Sequence, residues 1–236
     1  MNTTLLDRLR GFQIPATTPL LEDHFLVVRL QGVDFEGIID SPDFGFTRPF
    51  DVRFGKMMVR TGSHLLGGDP CGRFGYVEQL ELSMILDHRR VPGIWNDATE
   101  LQTFLVGMAS SKMSLLVEDE ALFTCRLYAF SKSDLVVAYF MWRQQEAYLT
   151  ALDRYCAYVL AKEGSSAESI SKLMEDLGPL EKEEILRQNQ IEYSDLPAWQ
   201  RRGTAVSLGD GGKLVVDTNL PKDADYRPYL QKYLEF

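Results

Sequence analysis

The chain of 236 residues carries 34 acidic and 25 basic side chains, which gives a net charge of −9 at pH 7 and a pI of about 4.9. This balance argues against non-specific nucleic-acid binding by the whole surface, although Arg201 and Arg202 form a local basic pair. The three dispersed cysteines, without a CxxC motif, indicate reduced thiols and exclude a disulfide framework. Because the N-terminal segment lacks the apolar stretch of a signal peptide, we expect a cytoplasmic protein.

The first half of the chain alternates between strand and helix patterns. The residues FLVVRL are almost continuously apolar and predict a central strand that is covered on both faces. Pro49 is expected in the first turn of the helix that follows. The predicted elements in chain order are a strand at 25–30, a helix at 48–68, a hairpin at 72–86, a helix at 100–120 and a strand at 121–131. This order predicts an α+β, ferredoxin-like βαββαβ sheet with two helices on one face.

The second half of the chain is predominantly helical. Residues 134–163 predict one long helix, and Ser165 with Glu168 has the spacing of a capping box for the next one. A further helix is expected over about 180–190, and the tail after Gly203 has only weak strand signals. These patterns predict a sheet domain at 1–131 and a helical C-terminal region at 132–236 packed on it.

Five segments, spread over roughly residues 20–208, resemble motifs of the tRNA-histidine guanylyltransferase family, which includes the Thg1-like 3′–5′ polymerases. In chain order the segments are FLVVRLQGVDF, FTRPFDVRF, YVEQLELS, YFMWRQQEA and DLPAWQRRG. The resemblance implies a polymerase palm-like catalytic domain at 1–131. It also implies nucleotide addition to the 5′ end of an RNA, usually a tRNA, with GTP or ATP and two Mg²⁺ ions. In the family, one aspartate before the first-strand glycine and a second in the hairpin hold the metals.

The two family aspartates are missing from this chain. At the corresponding positions stand Gln31, directly before Gly32, and Leu80 in the hairpin, while Glu81 keeps an acid beside the second position. A glutamine offers one neutral oxygen and a leucine offers none, so both are poor substitutes for magnesium-binding carboxylates. The catalytic positions are therefore expected to be degenerate, and no cofactor is expected.

Positions that are basic in the family have also changed. Val33 and Glu36 follow the first glycine, where the family has a basic residue and a histidine. At the start of the second helix, Thr99, Glu100 and Thr103 replace cations that contact a triphosphate. Without these cations the phosphate charge has no counterweight, and that electrostatic contribution dominates phosphoryl transfer.

Other family positions are retained, and the resemblance implies roles for them. Nucleotide contacts are assigned to Arg29, Gly32, Phe35, Arg48, Asp51 and Lys182. RNA contacts are assigned to Arg143, Trp199, Arg201 and Arg202. Trp199 is also compatible with a place in the core, and Arg201 and Arg202 are also compatible with a solvated turn.

Three hypotheses follow. The first is a catalytically silent family member that acts as a non-catalytic subunit, paired with an active paralogue or with itself as a dimer or tetramer, and that binds tRNA or another RNA. The second is an active nucleotidyltransferase with rearranged ligands, in which Glu78, Glu81 and the carbonyl of Gly32 hold Mg²⁺ and GTP or ATP is the substrate. In the predicted hairpin Glu78 lies on the side of Leu80 and Glu81 points away. The third is a nucleotide or RNA sensor.

Overall fold

The computed structural model describes residues 20, 24–68, 71–87, 89–91, 94–95 and 97–235. Within these residues, antiparallel strands form one six-stranded sheet with the order β4-β1-β3-β2-β5-β6. The strands are β1 Phe25–Gly32, β2 Gly72–Glu78, β3 Glu81–Leu86, β4 Phe123–Phe130, β5 Thr204–Leu208 and β6 Leu214–Asp217. The helices are α1 Phe35–Asp40, α2 Val52–Gly68, α3 Ala98–Val117, α4 Ser133–Lys162, α5 Ala167–Asp176, α6 Pro179–Gln188, α7 Ala198–Arg202 and α8 Tyr226–Gln231.

The first four strands have the order expected for a ferredoxin-like sheet, so the predicted fold class is confirmed. The predicted hairpin, the strand near 121–131 and the helices near 100–120, 134–163 and 180–190 all exist, with ends that differ by at most three residues. The sheet is wider than the four predicted strands, because β5 pairs with β2 and β6 pairs with β5. The division of the chain at residue 131 stays a prediction.

Two apolar layers cover the sheet. On one face Leu26, Val28 and Leu30 of β1 pack with residues of α2 and α3. On the other face Val27 packs with β2 and with α4 and α8, so β1 is buried on both sides, as its continuous apolar sequence predicts. A third apolar cluster joins the second half of α4 to α6. In the described part of the chain no helix is both long and apolar enough to cross a membrane.

Two predicted helix starts are wrong. Helix α2 begins at Val52, and Pro49 lies before it, because the carboxylate of Asp51 accepts hydrogen bonds from the N–H groups of Arg53 (2.6 Å) and Phe54 (3.3 Å). Asp51 is thus the N-cap, and its side chain satisfies two backbone donors that have no partner within the helix. Helix α5 is capped by Ser166 rather than by Ser165.

We expect Asp51→Ala to lower the free energy of unfolding by about 1–2 kcal/mol, because it removes this cap. Burial is the largest single cause and raises the pKa of Asp51. Hydrogen bonds from Arg53, Thr47 and Phe54 together outweigh burial and hold the pKa below its ordinary value. The depressed folded pKa means that the contribution of the charge is complete above pH 3.8 and is lost as the pH falls further.

Urea denaturation of the wild type, Asp51→Asn and Asp51→Ala measures this effect. The exposed Glu175→Ala, within α5, is the control and is expected to change stability by less than about 0.5 kcal/mol. Equal stabilities of Asp51→Ala and Glu175→Ala would show that Asp51 does not cap the helix.

Candidate functional site at the end of the first strand

The fold brings Gln31 and Leu80, the positions where the family resemblance implies metal-binding aspartates, together at the end of β1. Gln31 is exposed and pairs with Glu81 of β3 on one side and with Thr124 of β4 on the other. The N–H of Gly32 donates to the carbonyl oxygen of Leu80 over 2.9 Å, so the hairpin turn lies against the strand end. The side chain of Leu80 packs against the apolar cluster of α2 and α3. Gln31 and Leu80 thus lie close together, and they present an amide and an aliphatic side chain at this end of the strand.

Gly32 is required by the packing of Phe35. A Cβ atom at position 32 would lie 2.2 Å from the Phe35 ring, well inside van der Waals contact. That ring is almost fully buried and meets the rings of Phe54 and Phe123 edge-on, with centroids 5.9 and 4.9 Å away. The structure thus gives Gly32 and Phe35 a packing role, and their predicted nucleotide contacts stay predictions.

A network of two glutamates and two arginines lies on the α4 face of the sheet. Arg29 donates to both carboxylate oxygens of Glu81, each over 2.6 Å. Arg143 of α4 donates to Glu78 over 2.5 Å and to Glu81 over 2.6 Å. The ring of Trp142 lies beside both guanidinium groups, with centroid distances of 5.7 and 5.0 Å. Both acids and both bases thus find partners within the protein.

The predicted orientation of the two glutamates is wrong. Glu78 and Glu81 are paired residues that flank the two-residue turn of the hairpin, so their side chains share one face of the sheet. Leu80 lies within the turn itself, where the simple alternation of a strand does not apply. Arg143 was assigned an RNA contact, but only 4% of its side chain is exposed.

Burial, the largest cause, raises the pKa of Glu78 to about 7, and the neighbouring Glu81 adds to this while Arg143 opposes it. The hydrogen bond from Arg29 to Glu81 raises the pKa of Arg29 above its ordinary value. Tyr139 shares a 2.9 Å hydrogen bond with Ser83 next to the network, and burial raises its pKa to about 12. These shifts describe a closed polar network inside the protein.

The donors at the strand end do not fit a magnesium ion. Mg²⁺ needs carboxylate and water oxygens in an octahedral arrangement. Both carboxylate oxygens of Glu81 and Oε2 of Glu78 are engaged by Arg29 and Arg143, and the side chain of Leu80 supplies no donor. Within the described ranges no group of three or more His, Cys, Asp or Glu side chains has the arrangement of a metal site.

The retained cation Arg48 is neutralised by acids of α1. It donates to Asp40 over 2.8 Å and to Glu36 over 3.1 Å, and Arg154 of α4 also binds Glu36. Burial lowers the pKa of Arg48, but its hydrogen bonds to Asp40 and Glu36 outweigh this and raise the pKa above the ordinary value. Glu36, which stands at the family histidine position, thus ties the loop before α2 to α4.

The other predicted contact residues are also bound within the protein. Lys182 of α6 pairs with Asp153 of α4 over 2.6 Å. Arg201 donates to the backbone carbonyls of Leu196 (2.9 Å) and Ser194 (2.7 Å). Arg202 donates to the side chain of Asn219 over 3.0 Å. These contacts hold the α6 and α7 segments in place, and roles in nucleotide or RNA binding stay predictions.

A cavity that the sequence motifs did not reveal lies beside Leu80. Its volume is about 450 Å³, and its wall includes Leu80, Trp199 of α7 and Arg154 of α4. Trp199 is half-buried, close to Gly55 of α2, and its ring meets that of Phe50 edge-on at 5.9 Å. No local pattern could have indicated this cavity, because its wall joins segments that are far apart in the sequence.

The raised pKa of Glu78 makes a pH-dependent contribution to stability. Between the ordinary pKa of 4.5 and the folded pKa of about 7, the folded state holds more protons than the unfolded state. The free energy of unfolding should therefore fall with rising pH across this window, by on the order of 2 kcal/mol relative to Glu78→Gln. Urea denaturation from pH 4.5 to 8 measures the difference, with the exposed Glu175→Gln as the control. Parallel curves for the wild type and Glu78→Gln would contradict this assignment.

Gly32→Ala is expected to lower the free energy of unfolding by about 1–3 kcal/mol, because its Cβ overlaps the Phe35 ring. The loss should be smaller in a Phe35→Leu background, where the smaller side chain leaves room. A double-mutant cycle by chemical denaturation measures this coupling. Gly107→Ala is the matched control, because a Cβ there meets no atom within 4 Å. An equal loss in both backgrounds would mean that Phe35 is not the cause.

Comparison with known proteins agrees with the motifs. Residues 6–146 match the sequence profile of the family described as "Thg1: tRNAHis guanylyltransferase". The chain is 31% identical over 210 residues to tRNA(His) guanylyltransferase 2 of Arabidopsis thaliana, covering 85% of this chain and 38% of that protein. It is 24% identical over 195 residues to tRNA(His) guanylyltransferase 1 of the same plant, covering 78% and 34%. The chain thus spans a little over a third of the length of these two relatives.

The same architecture is present in a solved structure. A bacterial tRNA(His) guanylyltransferase (Thg1)-like protein in complex with ATP superimposes with a TM-score of 0.82, over 99% of this chain and 100% of that chain. The sequence identity in that superposition is 20%, so it establishes the shared fold. Together with the match over more than half of the chain, this confirms the predicted resemblance: the chain belongs to the tRNAHis guanylyltransferase (Thg1) family.

Proposed function

We propose that this chain is a non-catalytic member of its family that acts as a subunit beside an active 3′–5′ nucleotidyltransferase. The observation that carries the proposal is the donor set at the end of β1. Gln31 presents a neutral amide, Leu80 packs into an apolar cluster, and Glu81 is held by two arginines. This set offers no pair of free carboxylates to hold metal ions at the place where the family resemblance implies two.

The surroundings of the strand end support the same conclusion. Catalysis of phosphoryl transfer depends on charges that offset the phosphates. Here Val33 is apolar, and Arg48 is already paired with Glu36 and Asp40. At the start of α3 the exposed Glu100 adds a negative charge. A triphosphate at these positions would therefore meet the apolar Val33, the paired Arg48 and the acid Glu100.

The proposed role as a protein subunit rests on the net negative charge of the chain and on how little its candidate RNA-binding arginines are available to a ligand. The net charge of −9 disfavours independent capture of RNA, because RNA binding depends on neutralised phosphates. Arg143 is buried, and Arg201 and Arg202 bind acceptors within the protein. We therefore assign RNA binding mainly to the partner, an active family member, while this chain supplies a folded palm-like surface.

The purified chain is expected to add no nucleotide to 5′-activated or 5′-truncated tRNA in the presence of GTP, ATP and Mg²⁺. Loss of the charge stabilisation should place its rate at least about 100-fold below that of an active family member assayed in parallel. Incorporation of radiolabelled GTP, resolved on a sequencing gel, measures the rate. Native mass spectrometry with the active member tests whether the two chains assemble.

A substitution at the strand end distinguishes nucleotide addition by this chain from nucleotide addition by a contaminating enzyme. Gln31→Ala alters an exposed residue of the candidate site, and the exposed Gln188→Ala on α6 is the matched control. Addition that scales with the concentration of this chain, is lost in Gln31→Ala and persists in Gln188→Ala would establish an active enzyme. That result would replace the proposal by the rearranged nucleotidyltransferase.

A further inference from the structure

The cavity beside Leu80 has the size and the walls of a small-molecule site. Its volume of about 450 Å³ falls within the roughly 300–1,000 Å³ of typical ligand pockets. The apolar side chains of its wall include Val77 of β2, Leu80, Met58 and Val59 of α2, and Trp199 of α7. Apolar walls of this kind favour a ligand with an apolar body, because burial of its surface removes it from water.

Two polar atoms in residues of the cavity wall are buried without a hydrogen-bond partner in the described structure. They are Nε of Arg154 and Nε2 of Gln79, and both are donors. A buried donor without an acceptor costs about 1–3 kcal/mol, so such atoms are rare in folded proteins. An acceptor on a bound ligand would satisfy such donors, and the choice of an anionic ligand rests on the cations that line the cavity.

The mouth of the cavity carries two cations. Lys56 and Arg60 are exposed, stand one turn apart on α2 and line the cavity, and neither forms an ion pair with another described residue. The acids nearby are already satisfied. Asp51 is held by Arg53 and by helix N–H groups, and Glu36 is paired with two arginines.

We propose that this cavity binds a small organic anion with an apolar body, such as an aliphatic or aromatic carboxylate. The apolar part would lie against Leu80, Val59 and Trp199, and the carboxylate would face Lys56 and Arg60. This inference goes beyond the proposed subunit role and does not depend on it, since an active enzyme could hold the same ligand.

A nucleoside triphosphate fits this cavity less well. A nucleobase presents several donors and acceptors that the apolar wall would leave unpaired. A triphosphate also carries more negative charge than Lys56 and Arg60 offset without a metal ion. The apolar wall and the two cations therefore favour a ligand that carries a single anionic group on an apolar body.

Isothermal titration calorimetry with decanoate tests the proposal, with decyltrimethylammonium as a probe of equal chain length and opposite charge. Saturable binding of decanoate with a Kd below about 1 mM, and binding of the cation at least about 10-fold weaker, would support it. Methyl NMR of the methionines locates the site, because decanoate should shift Met58 and leave Met174, in the third apolar cluster, unchanged.

Substitutions at two residues of the cavity wall test whether decanoate binds in this cavity. Lys56→Glu should weaken decanoate binding by about 5-fold, whereas the exposed Lys172→Glu on α5 should not change it. Leu80→Asp should weaken it by about 10-fold or more, because a carboxylate would enter the apolar wall. Absence of saturable binding, equal binding of both probes, or equal affinity of the wild type and Lys56→Glu would overturn the proposal. Displacement of decanoate by GTP with the same shift of Met58 would also overturn it.

Discussion

Arg143 links the hairpin of the sheet to the long helix that covers it. Its guanidinium group donates to Glu78 at the end of β2 and to Glu81 at the start of β3, inside the protein. Arg29 of β1 closes the network through its bidentate contact with Glu81. Removing one partner of such a buried network leaves an uncompensated charge, at a cost of about 3–5 kcal/mol. Because Glu78 and Glu81 flank the hairpin turn, their contacts with Arg143 hold the turn, and with it Leu80, in position.

The same network holds the acids near the strand end within the protein. The acid that remains beside the family metal position, Glu81, faces α4 and is held by arginines. The other side of the turn is occupied by Leu80, which belongs to the apolar cluster of α2 and α3. Polar groups are thus directed to one face and apolar groups to the other. The proposed absence of a two-metal site rests on this division of the faces, because such a site needs carboxylates that are free at one point.

Much of the fold could be predicted from local patterns, and much of the site could not. Strand β1 could be predicted because a strand that is buried on both faces has a continuous apolar sequence. The hairpin near 72–86 could be predicted because apolar and polar residues alternate along its strands. Strand β6 was weakly indicated, since it is short and its apolar residues are consecutive. Helix α2 starts later than predicted because a side-chain cap, and not the proline, sets its first turn.

The sequence by itself determined the family and the order of the first four strands, because these depend on residue identity and on periodicity along the chain. Only the tertiary structure decided which groups meet. It paired Arg143 with Glu78 and Glu81, neutralised Arg48 with Glu36, and enclosed the cavity beside Leu80. Contacts between residues far apart in the chain depend on how helices pack on the sheet, and local patterns carry no record of that packing.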